Sequence, residues 1–278
     1  MPTQTKRRIT AEDLYRIQQI SGPEISPDGK HVVYSLSRVD SKTEKKYANL
    51  WIVPTDGGRE RQFTYGDQTD TQPHWSPDGQ EISFLSNRGD SSQPQIHLIP
   101  FLGGEARSLT SLKGKFGTIE WSPDGRRLAT RLVDSGGGSD IYVYDIDRNN
   151  FSQLTFDDQG DCCPVWTPDG ERVAFSSLRN GPPNLYVKNA DGTGDVERLT
   201  EAAGSQIPSD WSADDETLVL YGDGELQILS SDGQTSVPLF ETGFVEQRPR
   251  ISPDGRWVAY ESDEDGDTDV YVRPFPDV

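Results

Sequence analysis

Apolar residues are scarce in this chain and positive charge scarcer. Only 32% of its 278 residues are hydrophobic, the mean hydropathy is −0.71, and 27 bases face 46 acids for a formal charge of −19. No run approaches the roughly 18–20 apolar residues of a membrane span, so no span is expected. Met1 to Ile20 is charged and has no apolar core, so no secretory signal is read and a cytoplasmic location is favoured. The charge repels phosphate backbones and excludes the usual nucleic-acid binder. The two cysteines, Cys162 and Cys163, are adjacent, which rules out a disulfide framework and leaves no tetrahedral metal set. Only three histidines occur, His31, His74 and His97, and no Gly-x-Ser-x-Gly nucleophile elbow is present. No catalytic residue is assigned, and a peptidase activity in this chain alone is not expected. The length suits one large domain or two ordinary ones.

What is present is a repeat. Ile25-Ser26-Pro27-Asp28-Gly29 returns as Trp75-Ser76-Pro77-Asp78-Gly79, Trp121-Ser122-Pro123-Asp124-Gly125 and Trp166-Thr167-Pro168-Asp169-Gly170. A degenerate Trp211-Ser212-Ala213-Asp214-Asp215 and Ile251-Ser252-Pro253-Asp254-Gly255 complete six copies, at intervals of 50, 46, 45, 45 and 40 residues. Ser/Thr-Pro-Asp-Gly is turn chemistry: proline presets φ, aspartate favours the next position and glycine frees the exit. Behind each turn runs an apolar strand such as Val173-Ala174-Phe175. A second alternating strand such as Ile141-Tyr142-Val143-Tyr144 follows. Most repeats then end on Arg-x-hydrophobic-Thr, as in Arg61-Gln62-Phe63-Thr64 and Arg107-Ser108-Leu109-Thr110.

Four short strands in about 40–45 residues match one propeller blade and outweigh a solenoid or a sandwich. The sequence therefore predicts an all-β, six-bladed β-propeller of four-stranded antiparallel blades. Blades are expected near residues 22–64, 71–110, 117–155, 162–200, 207–241 and 247–278. The last repeat lacks a fourth strand, while Arg7-Arg8-Ile9-Thr10 copies the closing phrase. A strand at residues 4–10 is therefore expected to complete the last blade and close the ring, the alternative being a truncated blade and a loose terminus. Thr10 with Asp13 reads as a capping box, and Leu14 and Ile17 share a helical face, so a short helix or a plain connector is expected at 11–20.

The Trp-Ser-Pro-Asp-Gly repeats resemble the TolB-like, WD-like six-bladed propeller family over essentially the whole chain. Ile9 to Arg38 looks like the start of propellers attached to acylaminoacyl-peptidase and prolyl-oligopeptidase-type serine hydrolases. Asp269-Val270-Tyr271-Val272-Arg273-Pro274-Phe275-Pro276 looks like TolB-like sensor or binding propellers. The resemblance implies a scaffold that binds peptides, proteins or small ligands at one face; it does not imply chemistry.

A ligand is expected near the innermost strands. The loops leading into them hold Asp70, Asp161, Gln206 and Glu246; the residues just before each motif are Glu24, His74, Glu120, Val165, Asp210 and Arg250. Asp70, His74, Glu120, Asp161, Asp210, Glu246 and Arg250 are the candidate ligand-binding residues at the channel mouth. A mouth rich in carboxylates favours cationic or amine-bearing ligands, and Arg250 suits a carboxylate. The competing reading is that these groups satisfy one another between blades. Asp263, Asp265, Asp267 and Asp269 form a dense acidic loop without EF-hand register; a solvated loop is expected there, with weak Ca2+ binding as the alternative, and no other cofactor. The charge has two readings, turn-forming aspartates (30 Asp, 16 Glu) and a lysine-poor (8 Lys, 19 Arg) salt-adapted surface.

Two functional readings follow. The first is a non-enzymatic, monomeric binding scaffold for a protein or peptide partner or a small ligand. The second is the substrate-gating propeller of a serine peptidase without its hydrolase domain, or an excised propeller.

Overall fold

The computed structural model describes residues 10–89, 93–212, 217–229, 236–252 and 254–275. The regular elements of the described chain are almost all β-strands, in antiparallel sheets whose strands follow sequence order, five of four strands and the last of three, the topology of a six-bladed β-propeller. Two compact units divide it, ending and beginning at Leu112 and Lys113.

The first unit holds two sheets. One comprises β1 (Gln19–Ile25), β2 (His31–Val39), β3 (Lys46–Pro54) and β4 (Arg61–Gln62); the other comprises β5 (Asp70–Trp75), β6 (Glu81–Ser86), β7 (Gln95–Pro100) and β8 (Arg107–Ser108). Val33, Leu50, Ile52 and Phe63 of one sheet share a core with Trp75, Ile82, Phe84 and Ile99 of the other.

The second unit holds four. They are β9 to β12 (Lys115–Trp121, Arg127–Val133, Ser139–Asp145, Asn150–Gln153) and β13 to β16 (Asp161–Trp166, Arg172–Ser177, Asn184–Asn189, Glu197–Arg198). Then come β17 to β20 (Ile207–Trp211, Leu218–Gly222, Glu225–Leu229, Ser236–Pro238) and β21 to β23 (Glu246–Ile251, Trp257–Ser262, Asp269–Pro274). Trp166, Val173 and Phe175 of one blade pack on Ala129, Ile141, Val143 and Leu154 of the one before it. Each blade alone would leave one apolar face wet, so burial between neighbouring sheets supplies the main stabilisation, about 1.5–3 kcal/mol per large side chain.

The two recurring phrases are hydrogen-bonding units. In the Ser/Thr-Pro-Asp-Gly turn the hydroxyl donates to the aspartate, 2.6 Å for Ser76–Asp78, Ser122–Asp124 and Thr167–Asp169 alike. The same hydroxyl accepts the amide five residues after it, as Ser122 does from Arg127 at 2.9 Å, opening the second strand. Gly29 sits at φ +71°, which glycine adopts without strain. That hydroxyl donation leads the causes that hold the carboxyls of Asp28, Asp78 and Asp169 below their ordinary value, and Asp254 at about 2.

The threonine of the closing phrase is buried. Its hydroxyl accepts a third-strand amide: Leu50 to Thr64 (2.9 Å), Ile96 to Thr110 (3.0 Å), Ile141 to Thr155 (3.0 Å) and Leu185 to Thr200 (3.1 Å).

At the N-terminus the strand expected at 4–10 lies outside the described residues except for Thr10. Thr10 is exposed, and its amide and hydroxyl both turn to the Asp13 carboxylate. The helix expected at 11–20 is one 3-10 turn, Ala11–Tyr15, with no buried residue; Gln19 and Ile20 already belong to β1. Leu14 and Ile17 are more than half exposed, so burial contributes little to lengthening the turn. No described helix is long and apolar enough to cross a membrane.

Candidate functional site

The nominated residues lie on the first strand of each blade and fall into two groups. Those at its beginning are almost fully buried: Asp70, Asp161 and Glu246 are 0%, 1% and 2% exposed. Asp70 accepts from Ser86 Oγ (2.6 Å) and Arg88 Nη2 (2.7 Å), and the Arg88 guanidinium lies 5.1 Å from the Phe84 ring centre. Asp161 takes both oxygens to Arg179 Nη2, at 3.0 and 2.9 Å. Arg179 also donates to Ser177 Oγ and lies against Phe175 and Tyr186. Glu246 accepts from Thr242 (2.7 Å), and Gln206 is bonded to Thr200 and Ser236. Asp70, Asp161 and Glu246 direct their hydrogen bonds to groups of their own blade or the adjoining loop, and Gln206 also reaches Thr200 of the blade before it.

Residues just before the Trp/Ile of each motif do different work. In the first unit Glu24 accepts the Trp75 amide at 2.8 Å and holds His74 Nδ1 at 2.7 Å, while the Trp75 indole donates to the Glu24 carbonyl. In the second unit Asp210 repeats the clamp, accepting the amides of Trp211 and Ile251, each at 3.0 Å. Burial pushes its carboxyl up, against the opposing pull of Arg250 and those amides. Arg250 donates to the Ser209 carbonyl (3.1 Å) and reaches within 3.9 Å of Glu120 Oε1.

Three nominated residues thus come together: Glu120, Asp210 and Arg250 line one cavity of about 320 Å³ in the second unit. Its walls are Trp121, Trp166 and Trp211 with Pro123 and Pro168, drawn from three successive motifs. Trp166 donates its indole N–H to the Glu120 carbonyl at 3.0 Å, as Trp75 does to Glu24. The Trp211 indole nitrogen is buried and, among the described residues, has no hydrogen-bond partner. A buried donor beside a cavity with charges of both signs is suited to a ligand that brings an acceptor. Sequence reasoning treated these tryptophans as markers of the repeat; their indoles converging on one space had no local signal.

The other nominated residues lie elsewhere. Asp161 borders a separate cavity of about 270 Å³ with Arg131, Ser139 and Cys162; Glu246 borders a third with Phe240 and Phe244. His97 is buried against Phe84, and burial lowers its pKa; His31 stacks edge-on with Phe101. In the acidic loop Asp263 accepts the Val245 amide and Asp265 the Tyr271 hydroxyl. Among the described residues no three His, Cys, Asp or Glu side chains converge as a metal would require.

Comparison with known proteins gives one consistent answer. The family model described as the TolB beta propeller domain matches residues 3–117 and 107–273. The uncharacterized peptidase YuxL of Bacillus subtilis is 29% identical over 274 residues, 96% of this chain; the chain spans about a third (34%) of that relative's length. The structure of a putative TolB from Agrobacterium tumefaciens is 26% identical with a TM-score of 0.65, covering 93% of this chain and 91% of that one. The β-propeller domain of the Trilobed protease from Pyrococcus furiosus is 17% identical with a TM-score of 0.74, over 93% of this chain and 82% of that one, a likeness of fold.

Proposed function

The chain belongs to the TolB beta propeller domain family, and from that membership we propose that it is a non-enzymatic binding module for a peptide segment of a protein partner. The observation that carries this reading is the tryptophan-walled cavity with Glu120, Asp210 and Arg250 around it. Aromatic walls give contact area at little entropic cost, and a few fixed polar groups orient the occupant. A peptide suits the site: its backbone carbonyl can take the Trp211 indole N–H, its basic groups Glu120, and its acidic groups Arg250. The formal charge of −19 argues against nucleic acid as the partner.

The test is a fluorescence titration with pooled short peptides, since the cavity wall contains half of the chain's six tryptophans. Saturable quenching is expected. Trp211→Phe, which loses one hydrogen-bond donor, should weaken it by about 2- to 10-fold. No saturable change in the unmodified chain, or identical affinities for Trp211→Phe and Arg250→Ala, would overturn the reading.

The likeness to YuxL favours a second reading, in which the module admits peptides to the hydrolase part of a serine peptidase. Co-purification of the chain with a serine hydrolase, and a change in that enzyme's peptide-length preference on adding the chain, would favour it over a free-standing module.

A further inference from the structure

Cys162 and Cys163 are neighbours on β13, and a regular strand would send their side chains to opposite faces. They do not part. The ladder to β14 pairs Cys162 with Ser176 and then Val165 with Ala174, so Cys163 and Pro164 together oppose the single residue Phe175. Cys163 takes φ +58° in this bulge, and its Sγ lies 2.9 Å from that of Cys162. Gln72 and Arg248 occupy the corresponding bulges of β5 and β21, at φ +52° and +51° and likewise before a proline. The bulge thus recurs in the fold; two sulfurs at it do not. It turns adjacent cysteines into a dithiol with both groups on one side.

Both cysteines are partly exposed, and Cys162 lines the cavity of about 270 Å³ beside Arg131. The Cys163 thiol donates to the Cys162 sulfur, which favours the Cys162 thiolate, and the Arg131 charge acts in the same direction. A tetrahedral zinc ion sets two coordinating sulfurs about 3.8 Å apart and asks for four ligands. The sulfurs here are closer, and among the described residues no further His, Cys, Asp or Glu completes such a set. What two thiols at so short a bite accommodate is one small centre that binds both.

We propose that Cys162 and Cys163 form a chelating dithiol site for trivalent arsenicals. With an arsenoxide the step is a condensation: two S–H bonds and the As–O linkage break, and two As–S bonds form. The oxygen leaves with both thiol protons as water, and arsenic stays trivalent, so no oxidant or reductant is needed.

The experiment uses the full chain, reduced and freed of reductant, titrated with phenylarsine oxide. Thiols are counted with a chromogenic disulfide and adducts by intact mass. One adduct per chain is expected, with one water lost, both thiols protected, and reversal by a small dithiol. Cys162→Ser and Cys163→Ser should each bind on the order of 100-fold more weakly, because the second bond is no longer intramolecular. Cys163→Gly is a second single-thiol variant whose residue accepts the positive φ, so weak binding there with an unchanged circular dichroism spectrum separates lost chelation from lost fold. Free thiols in the unmodified chain at saturating reagent, or a single-thiol variant that binds as tightly as the parent, would overturn the proposal.

Discussion

Asp161 offers the sharpest test of what the nominated carboxylates do. Its side chain is fully buried, both oxygens are bonded to Arg179, and Arg179 keeps only 16% of its own side-chain surface. Asp161→Asn removes the charge with little change of shape and leaves a guanidinium buried against Phe175 and Tyr186. Breaking a buried pair costs about 3–5 kcal/mol. The lower end applies here, because Asp157 Oδ2 remains 3.8 Å from Arg179 Nε and Ser177 still accepts from it. For a unit of this size about 3 kcal/mol lowers the thermal midpoint by roughly 6–12 °C. Urea and thermal unfolding followed by tryptophan fluorescence and circular dichroism read the change. Asp161→Leu with Arg179→Met, which removes both charges, should recover most of the loss, since apolar replacement of a buried pair is close to neutral. A drop of less than 1 kcal/mol in Asp161→Asn, or a double variant worse than the single, would refute the view that this carboxylate is a structural lock.

Three further outcomes are expected. Because Thr167 and the Glu171 amide hold Asp169 below its unfolded value, its contribution is fully present above about pH 4 and is lost as pH falls through the folded pKa. The stability gap between the parent and Asp169→Asn should therefore narrow as pH falls below about 4, and a gap constant with pH would contradict the turn geometry. Thr155→Val strips the Ile141 amide of a buried acceptor and should cost about 1–3 kcal/mol in urea unfolding, whereas Thr10→Val, at an exposed position, should cost less than 1. Calcium at millimolar concentration should leave the thermal midpoint unshifted, since the acidic loop directs Asp263 and Asp265 to protein donors; a concentration-dependent rise would restore Asp263–Asp269 as a site.

Much of the blade was legible because its signals are local. Ser122 finds Asp124 two residues on and the Arg127 amide five residues on, so the turn and the start of the next strand are written in one phrase. Thr155 meets the Ile141 amide 14 residues away inside the same repeat, and the recurring Arg-x-hydrophobic-Thr phrase marked that strand. At 11–20, read as a short helix or a plain connector, Thr10 and Asp13 form their local contact and one 3-10 turn follows, while Leu14 and Ile17 stay more than half exposed. The candidate site was legible as positions and not as roles. Glu120, Asp210 and Arg250 share a cavity, Asp70 and Asp161 bind arginines 18 residues downstream, and His74 faces Glu24.

By itself the sequence determined the repeat, its four strands, its turns and hence the fold class, because each rests on contacts that close within one phrase or one hairpin. Only the tertiary structure decided which charged groups are occupied, that Trp121, Trp166 and Trp211 wall a common space, and that two adjacent thiols face the same way. Those outcomes depend on groups 18 or more residues apart meeting within a blade or across neighbouring ones, or on a bulge that reverses strand alternation. No spacing within a single phrase encodes either.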